Sequence, residues 1–153
     1  MAWDVVIVPE VRDWLHQLRR DDPATLAAVS AALALLGQEG PALGPPLADA
    51  VMSMTALHSG LEMLREFDPG FRLSADNVER AMALSYLREL RPGPRGPQEP
   101  RLLFTFDQGR AAVVLVAGTE EIDWTRQWYV DNVPLAHARY IQYLREGTES
   151  GNA

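Results

Sequence analysis

The spacing of apolar positions changes partway along the chain, from helical in the front third to strand-like in the back. "WDVVIV" (3–8) is short, β-branched and stopped by Pro9, so it predicts a strand. In "PEVRDWLHQLRR", Val11, Trp14, Leu15 and Leu18 fall on one helical face. "DDPATLAAVSAALALLGQEG" offers Asp22 as N-cap, Pro23 at the first helical position, and Gly37 or Gly40 as a stop. Leu26, Val29, Leu33 and Leu36 line the inner face of that second helix. "PALGPP" (41–46) is a turn-rich connector. Beyond it, Leu47, Val51, Met54, His58 and Leu61 share a stripe that predicts a third helix ending before "DPGF" (68–71). "DNVE" (76–79) has capping-box spacing for a short helix or turn.

From residue 84 the period shortens. "LSYLREL" (84–90), "RLLFTF" (101–106) and "AAVVLVAG" (111–118) read as three strands. The unbroken apolar run of the last marks an internal strand covered on both faces. "DQGR" (107–110) is a tight hairpin turn, and "PGPRGPQEP" (92–100) a long irregular connection. "NVPLAHARYIQYLRE" (132–146) predicts a closing helix with Asn132 as N-cap and Val133, Ala136, Tyr140, Ile141 and Leu144 inside. Residues 147–153 form a disordered tail. The sum is one α+β domain over 1–146, a small, largely antiparallel sheet packed against helices.

Composition narrows the function classes. The chain has 153 residues, no Cys and a net charge of −7, and its basic residues are all Arg. Without Cys there is neither a disulfide nor a thiolate nucleophile, as is compatible with the cytoplasm. No apolar run is long enough to span a bilayer, and the N-terminus lacks a signal-peptide pattern. His16, His58 and His137 lack metal-ligand spacing, so no metal site is expected. There is no phosphate-binding glycine loop and no nucleotide fingerprint.

The acidic balance argues against a broad nucleic-acid footprint, so any RNA contact must be local. Residues 85–101 supply the one concentration of positive charge: Arg88, Arg91, Arg95 and Arg101 against Glu89 and Glu99. On adjacent strands, Arg88, Arg91 and Arg101 could converge and grip a phosphate through forked donors. The alternative is a solvated strand edge. A second cluster, "DWTRQWYVDN" (123–132), sets Arg126 among Trp124, Trp128 and Tyr129. Those aromatics could stack bases, or simply close one end of a core.

The back half resembles the HigB-like branch (phage-derived, Gp49-like) of the RelE/ParE toxin superfamily. The matching elements are Arg88-Glu89-Leu90-Arg91, Arg101 to Asp107, Val113 to Gly118, Trp128-Tyr129, Val133-Pro134 and Tyr140. The resemblance covers roughly 3–50 and 84–146. It implies a RelE-like fold and the toxin of a type II toxin–antitoxin system. Such a toxin is an mRNA endoribonuclease, usually ribosome-dependent, that uses no metal or other cofactor. The implied partners are mRNA, the ribosome and an antitoxin, often with a helix-turn-helix domain. Carried over by position, Arg91 and Arg101 are the catalytic phosphate clamps and Tyr129 a catalytic supporting residue, with Arg88, Arg126 and Trp128 contacting RNA.

Three departures open a second reading. The branch's Gly-Asp-Lys stands here as Gly118-Thr119-Glu120, which places an acid where the family has a cation. Residues 51–83 form an added helical segment. Residues 119–131 carry Glu120, Glu121, Asp123 and Asp131 against Arg126. On that reading the chain is a non-catalytic toxin-like fold acting as a protein-binding or regulatory module.

Overall fold

The computed structural model describes residues 2–45, 47–50, 87–93, 99–107, 110–118 and 126–151. Strand β1 (Asp4–Ile7) leads into helix α1 (Pro9–Asp21) and helix α2 (Pro23–Glu39). Pro9 opens α1, where its missing N–H costs no helical bond. Asp22 both ends α1 and caps α2. Its amide donates to the Leu18 carbonyl, and its carboxylate accepts from the Thr25 amide at 3.2 Å and the Thr25 hydroxyl at 2.6 Å. Those two bonds hold the Asp22 carboxyl below its ordinary pKa, the hydroxyl bond contributing most.

Among the described residues, five strands form one sheet in the order β1-β5-β4-β3-β2. The others are β2 (Ala48–Ala50), β3 (Arg88–Leu90), β4 (Arg101–Asp107) and β5 (Ala111–Gly118). β1 runs parallel to β5, and the remaining pairings are antiparallel. The largely antiparallel α+β architecture is therefore as expected, and compatible with a RelE-like fold. β5 is internal, and Ala111 to Val116 are all buried, as an apolar run between two covered faces requires.

The two faces of the sheet are assigned by strand alternation. Trp3, Val5 and Phe106 look toward α2: Trp3 stacks edge-on to Phe106 at 5.1 Å, and Gly37 sits against Val5. Asp107, one residue further along β4, meets Tyr140 and Tyr143 of the last helix, α3 (Arg126–Gly151), on the other face. α1 and α2 thus cover one face and α3 part of the other.

Two expected elements differ. Leu47 does not open a helix: residues 48–50 are β2, paired with β3, and the Leu47 carbonyl accepts the Arg91 amide at 2.7 Å. Sheet pairing outweighs the weak helical preference of this Ala-rich stretch. The rest of the expected third helix, the "DNVE" turn and the added segment 51–83 lie outside the described residues. Asn132 is not the N-cap of the closing helix, which begins six residues earlier at Arg126. Its side chain instead donates to the Trp128 carbonyl at 2.8 Å. The helix runs on through Pro134, which has no N–H for the Val130 carbonyl. At its other end the helical backbone reaches Gly151, past the expected limit at 146.

The expected inner face of α3 is inside. Val133, Ala136, Tyr140 and Ile141 are buried, and Leu144 packs against the core. β5 also carries a bulge. Leu103 pairs with Val116 and Phe104 with Val114, which leaves Leu115 extra on β5. The Leu115 carbonyl accepts from the Arg139 guanidinium at 2.8 Å, so α3 is bonded to the backbone at the bulge.

Candidate functional site

Along β3, side chains alternate. Arg88 and Leu90 point to the α1/α2 face, while Glu89 and Arg91 point to the α3 face. Glu89 is opposite Leu103, and Arg101 lies two residues from Leu103 on the same face. The register therefore delivers Glu89, Arg91 and Arg101 to one place. Glu99 joins them from the connection before Pro100.

The result is a compact group of two guanidiniums and two carboxylates. Arg91 Nε lies 3.7 Å from Glu89 Oε1 and 3.4 Å from Glu99 Oε1, and Arg91 Nη2 donates to Glu99 Oε2 at 3.5 Å. Arg101 Nη1 lies 3.7 Å from Glu89 Oε1, and Arg101 Nη2 3.8 Å from Glu99 Oε2. Each carboxylate touches both arginines. Glu89 and Glu99 are buried, and the Arg101 side chain is 11% exposed. The Arg91 side chain, at 31%, is the member that reaches solvent.

Such a group is costly to bury unless its charges are matched, and here the formal charges cancel within it. The matching fixes both guanidiniums in direction. It also sets a limit: the charges of Arg91 and Arg101 are matched by the protein's own carboxylates.

Arg88 is not part of the group. Its guanidinium lies over the Phe106 ring, 5.5 Å from the centroid, and donates to the Pro41 carbonyl at 3.4 Å. The expected convergence of three arginines is thus a convergence of two. The alternative of a solvated strand edge does not hold at Glu89, which is buried. Glu89 and Glu99 are the residues that sequence reasoning missed. Glu89 stands two positions before Arg91, a spacing that puts like-facing side chains together on a strand, whereas Glu99 precedes β4 and carries no such signal.

Trp128 packs partly buried against the core, as an aromatic closing one end of a core does. Arg126 opens α3 and Tyr129 lies in its first turn, but their side chains are outside the described part, as are Arg95, Glu120, Glu121 and Asp123. His16 is exposed and His137 is fully buried in α3. Among the described residues no group of three or more His, Asp or Glu could hold a metal ion, and no helix is long and apolar enough to cross a membrane.

Two proteins of Mycobacterium tuberculosis (strain ATCC 25618 / H37Rv) are similar to this chain along most of its length. One bears the name toxin HigB2 and is 32% identical over 139 residues, 91% of this chain. Because those residues are 53% of that relative, the chain spans about half its length. The other bears the name toxin HigB3 and is 31% identical over 140 residues, 92% of each chain. No family model matches the chain, and no solved structure does.

Proposed function

The chain belongs to the HigB toxin family, and from that premise we propose that it is the toxin of a toxin–antitoxin pair, an mRNA endoribonuclease acting in the bacterial cytoplasm. The observation that carries this reading is the paired guanidiniums of Arg91 and Arg101, oriented by shared carboxylates on one sheet face. Guanidinium forks are suited to the oxygens of a phosphodiester.

In the proposed reaction the 2′-hydroxyl next to the scissile phosphate gives up its proton and attacks phosphorus. The 2′-O–P bond forms, the P–O5′ bond breaks, and the leaving oxygen takes a proton. Arg91 and Arg101 stabilise the charge that builds on the non-bridging oxygens, so no metal is called for. Tyr129 supports the proton transfers. Arg126 and Trp128 hold the flanking nucleotides by charge and stacking. The mRNA is presented on the ribosome, and an antitoxin, a helix-turn-helix protein in this reading, silences the toxin.

One observation favours the second reading. Glu89 and Glu99 already neutralise the arginine pair, as suits a toxin-like fold retained as a protein-binding module. The deciding experiment is tightly induced expression in a bacterial host, wild type beside Arg91→Ala, with mRNA 5′ ends mapped. The ribonuclease reading expects growth arrest with new in-frame ends, both lost in a folded Arg91→Ala protein. Normal growth with folded wild-type protein and no new ends rejects it in favour of the module.

A further inference from the structure

We infer that the phosphate seat of this protein is the place now filled by the Glu99 carboxylate, and that a phosphodiester binds by exchange with Glu99 while Glu89 stays. The inference rests on the ribonuclease reading for its ligand, an RNA phosphodiester, but on the geometry of the charge group for its site.

The first argument is charge. With both glutamates in place the formal charges of the two arginines are already matched. Adding a phosphodiester would leave a net negative charge in a site of reduced dielectric, and that is repulsive. Replacing one carboxylate by one phosphodiester keeps the balance. Both anions also present two oxygens to a guanidinium fork.

The second argument decides which carboxylate leaves. Glu89 belongs to β3, paired with Asp49 on one side and Leu103 on the other. Its backbone is therefore held on both sides by the sheet. Glu99 precedes Pro100, outside the paired residues of β4, which begin at Arg101. Its carboxylate can leave the arginines while the strands stay paired.

A third observation concerns fit. Arg91 Nε and Glu99 Oε1 lie 3.4 Å apart, yet both are buried atoms without a hydrogen-bond partner among the described residues. They attract by charge while their hydrogen-bonding capacity goes unused. A buried donor left in that state favours an anion that aligns with it better. Glu99 therefore occupies the seat imperfectly, as a placeholder. It accounts for a clamp that is both arginine-rich and neutral: the arginines stay oriented without RNA, and only an anion able to displace Glu99 is taken.

The test is an NMR titration of the wild-type protein, reading the arginine Nε–H and glutamate side-chain carboxyl signals. The probes are inorganic phosphate and a short 2′-O-methyl RNA that cannot be cleaved. Binding should move the Arg91 and Arg101 Nε–H signals and bring the Glu99 carboxyl to its solvent-exposed position, with Glu89 unchanged. Glu99→Gln should tighten the oligonucleotide about tenfold, the size of one charge-assisted contact. Glu89→Gln, which removes the fixed partner, should not tighten it. The wild-type signals need no variant to fold, so they decide the matter alone. If RNA or phosphate binds and Glu99 stays put, or binds nowhere near these arginines, exchange is wrong even for a toxin that cuts mRNA in cells. If the exchange is seen and neither wild type nor Glu99→Gln cuts RNA on or off the ribosome, exchange stands and the ribonuclease reading falls. If neither probe binds the wild type or Glu99→Gln, the exchange site is rejected.

Discussion

The Tyr140 hydroxyl donates to Asp107 Oδ1 across 2.7 Å, joining the last helix to the far end of β4. Tyr143, one helical turn on, reaches Oδ2 of the same carboxylate at 3.5 Å, and its ring stacks beside that of Tyr140 at 6.1 Å. Tyr140 is 1% exposed. This bond closes the face of the sheet that carries the charge group, because Arg101 and Asp107 are the two ends of the same strand. Tyr140→Phe keeps the ring and deletes the bond. A bond from a buried donor to a charged acceptor is worth about 2 kcal/mol. Urea denaturation should show a loss of that order, and Tyr143→Phe, with its longer bond, should cost less. Equal losses would mean that the two tyrosines share the carboxylate evenly.

Tyr143 should titrate late. Burial raises its phenol above the ordinary value, and the negative charges of Asp107 and Asp4, with the bond to Asp107, raise it further. The sign follows from linkage. The folded chain keeps the proton to higher pH than the unfolded chain, so this contribution to stability is intact below the ordinary tyrosine pKa of about 10 and is lost as pH climbs through the raised folded value. Phenolate absorbance, compared between wild type and Tyr143→Phe, isolates the group. Asp107→Asn should bring the titration part of the way back, because burial, the largest cause, remains. A complete return would show that the carboxylates outweigh burial.

Arg88 and Arg91 should separate in function. Arg88 lies on the α1/α2 face over Phe106, and Arg91 on the opposite face between Glu89 and Glu99. Arg88→Ala removes a half-buried cation–π contact of about 1 kcal/mol. Under the ribonuclease reading it should leave growth arrest and mRNA cleavage intact, while Arg91→Ala abolishes them. Mapped 5′ ends from the two strains side by side give the answer. Loss of cutting in a stable Arg88→Ala protein would move the RNA to the wrong face of the sheet for this proposal.

How far the sequence could be read depends on what each residue's neighbours had to supply. β1, α1 and α2 carry their own signals: Pro9 and Pro23 at helix starts, the Asp22 cap, and apolar residues at helical spacing. β4 and β5 announce themselves by length and apolarity. Leu47 to Ala50 is different. Nothing in Ala-Asp-Ala prefers a strand, and it becomes one because Arg88–Leu90 offers an edge forty residues later. Asn132 has the chemistry of a cap, but Arg126 to Asp131 continue the helix in front of it, so its amide turns to the Trp128 carbonyl instead. In the site, alternation alone separates Arg88 from Arg91. What alternation cannot give is the position of Glu99, which precedes β4 and sits outside the strands.

Gly40 should resist substitution while Gly44 tolerates it. Gly40 ends α2 with φ +56°, a conformation that L side chains rarely adopt. A Cβ built there would lie 2.3 Å from Trp3 Nε1 and 2.4 Å from Trp3 Cδ1, so the indole would have to leave. That indole has no easy place to go. The Trp3 amide donates to the Gly37 carbonyl at 2.7 Å, its ring packs edge-on against Phe106, and Arg110 lies 4.9 Å above it. Arg110 is itself held at φ 61°, in the turn that joins β4 to β5. Displacing Trp3 would therefore disturb β1, the hairpin and the end of α2 together. Gly40→Ala should cost about 2 kcal/mol or more, combining backbone strain with overpacking. Gly44→Ala meets nothing within 4 Å and should stay within about 0.5 kcal/mol of wild type. Thermal melting of both variants checks this, and near-ultraviolet circular dichroism reports on the tryptophans. If Gly40→Ala melts with wild type, Trp3 does not pin the start of β1 to the end of α2.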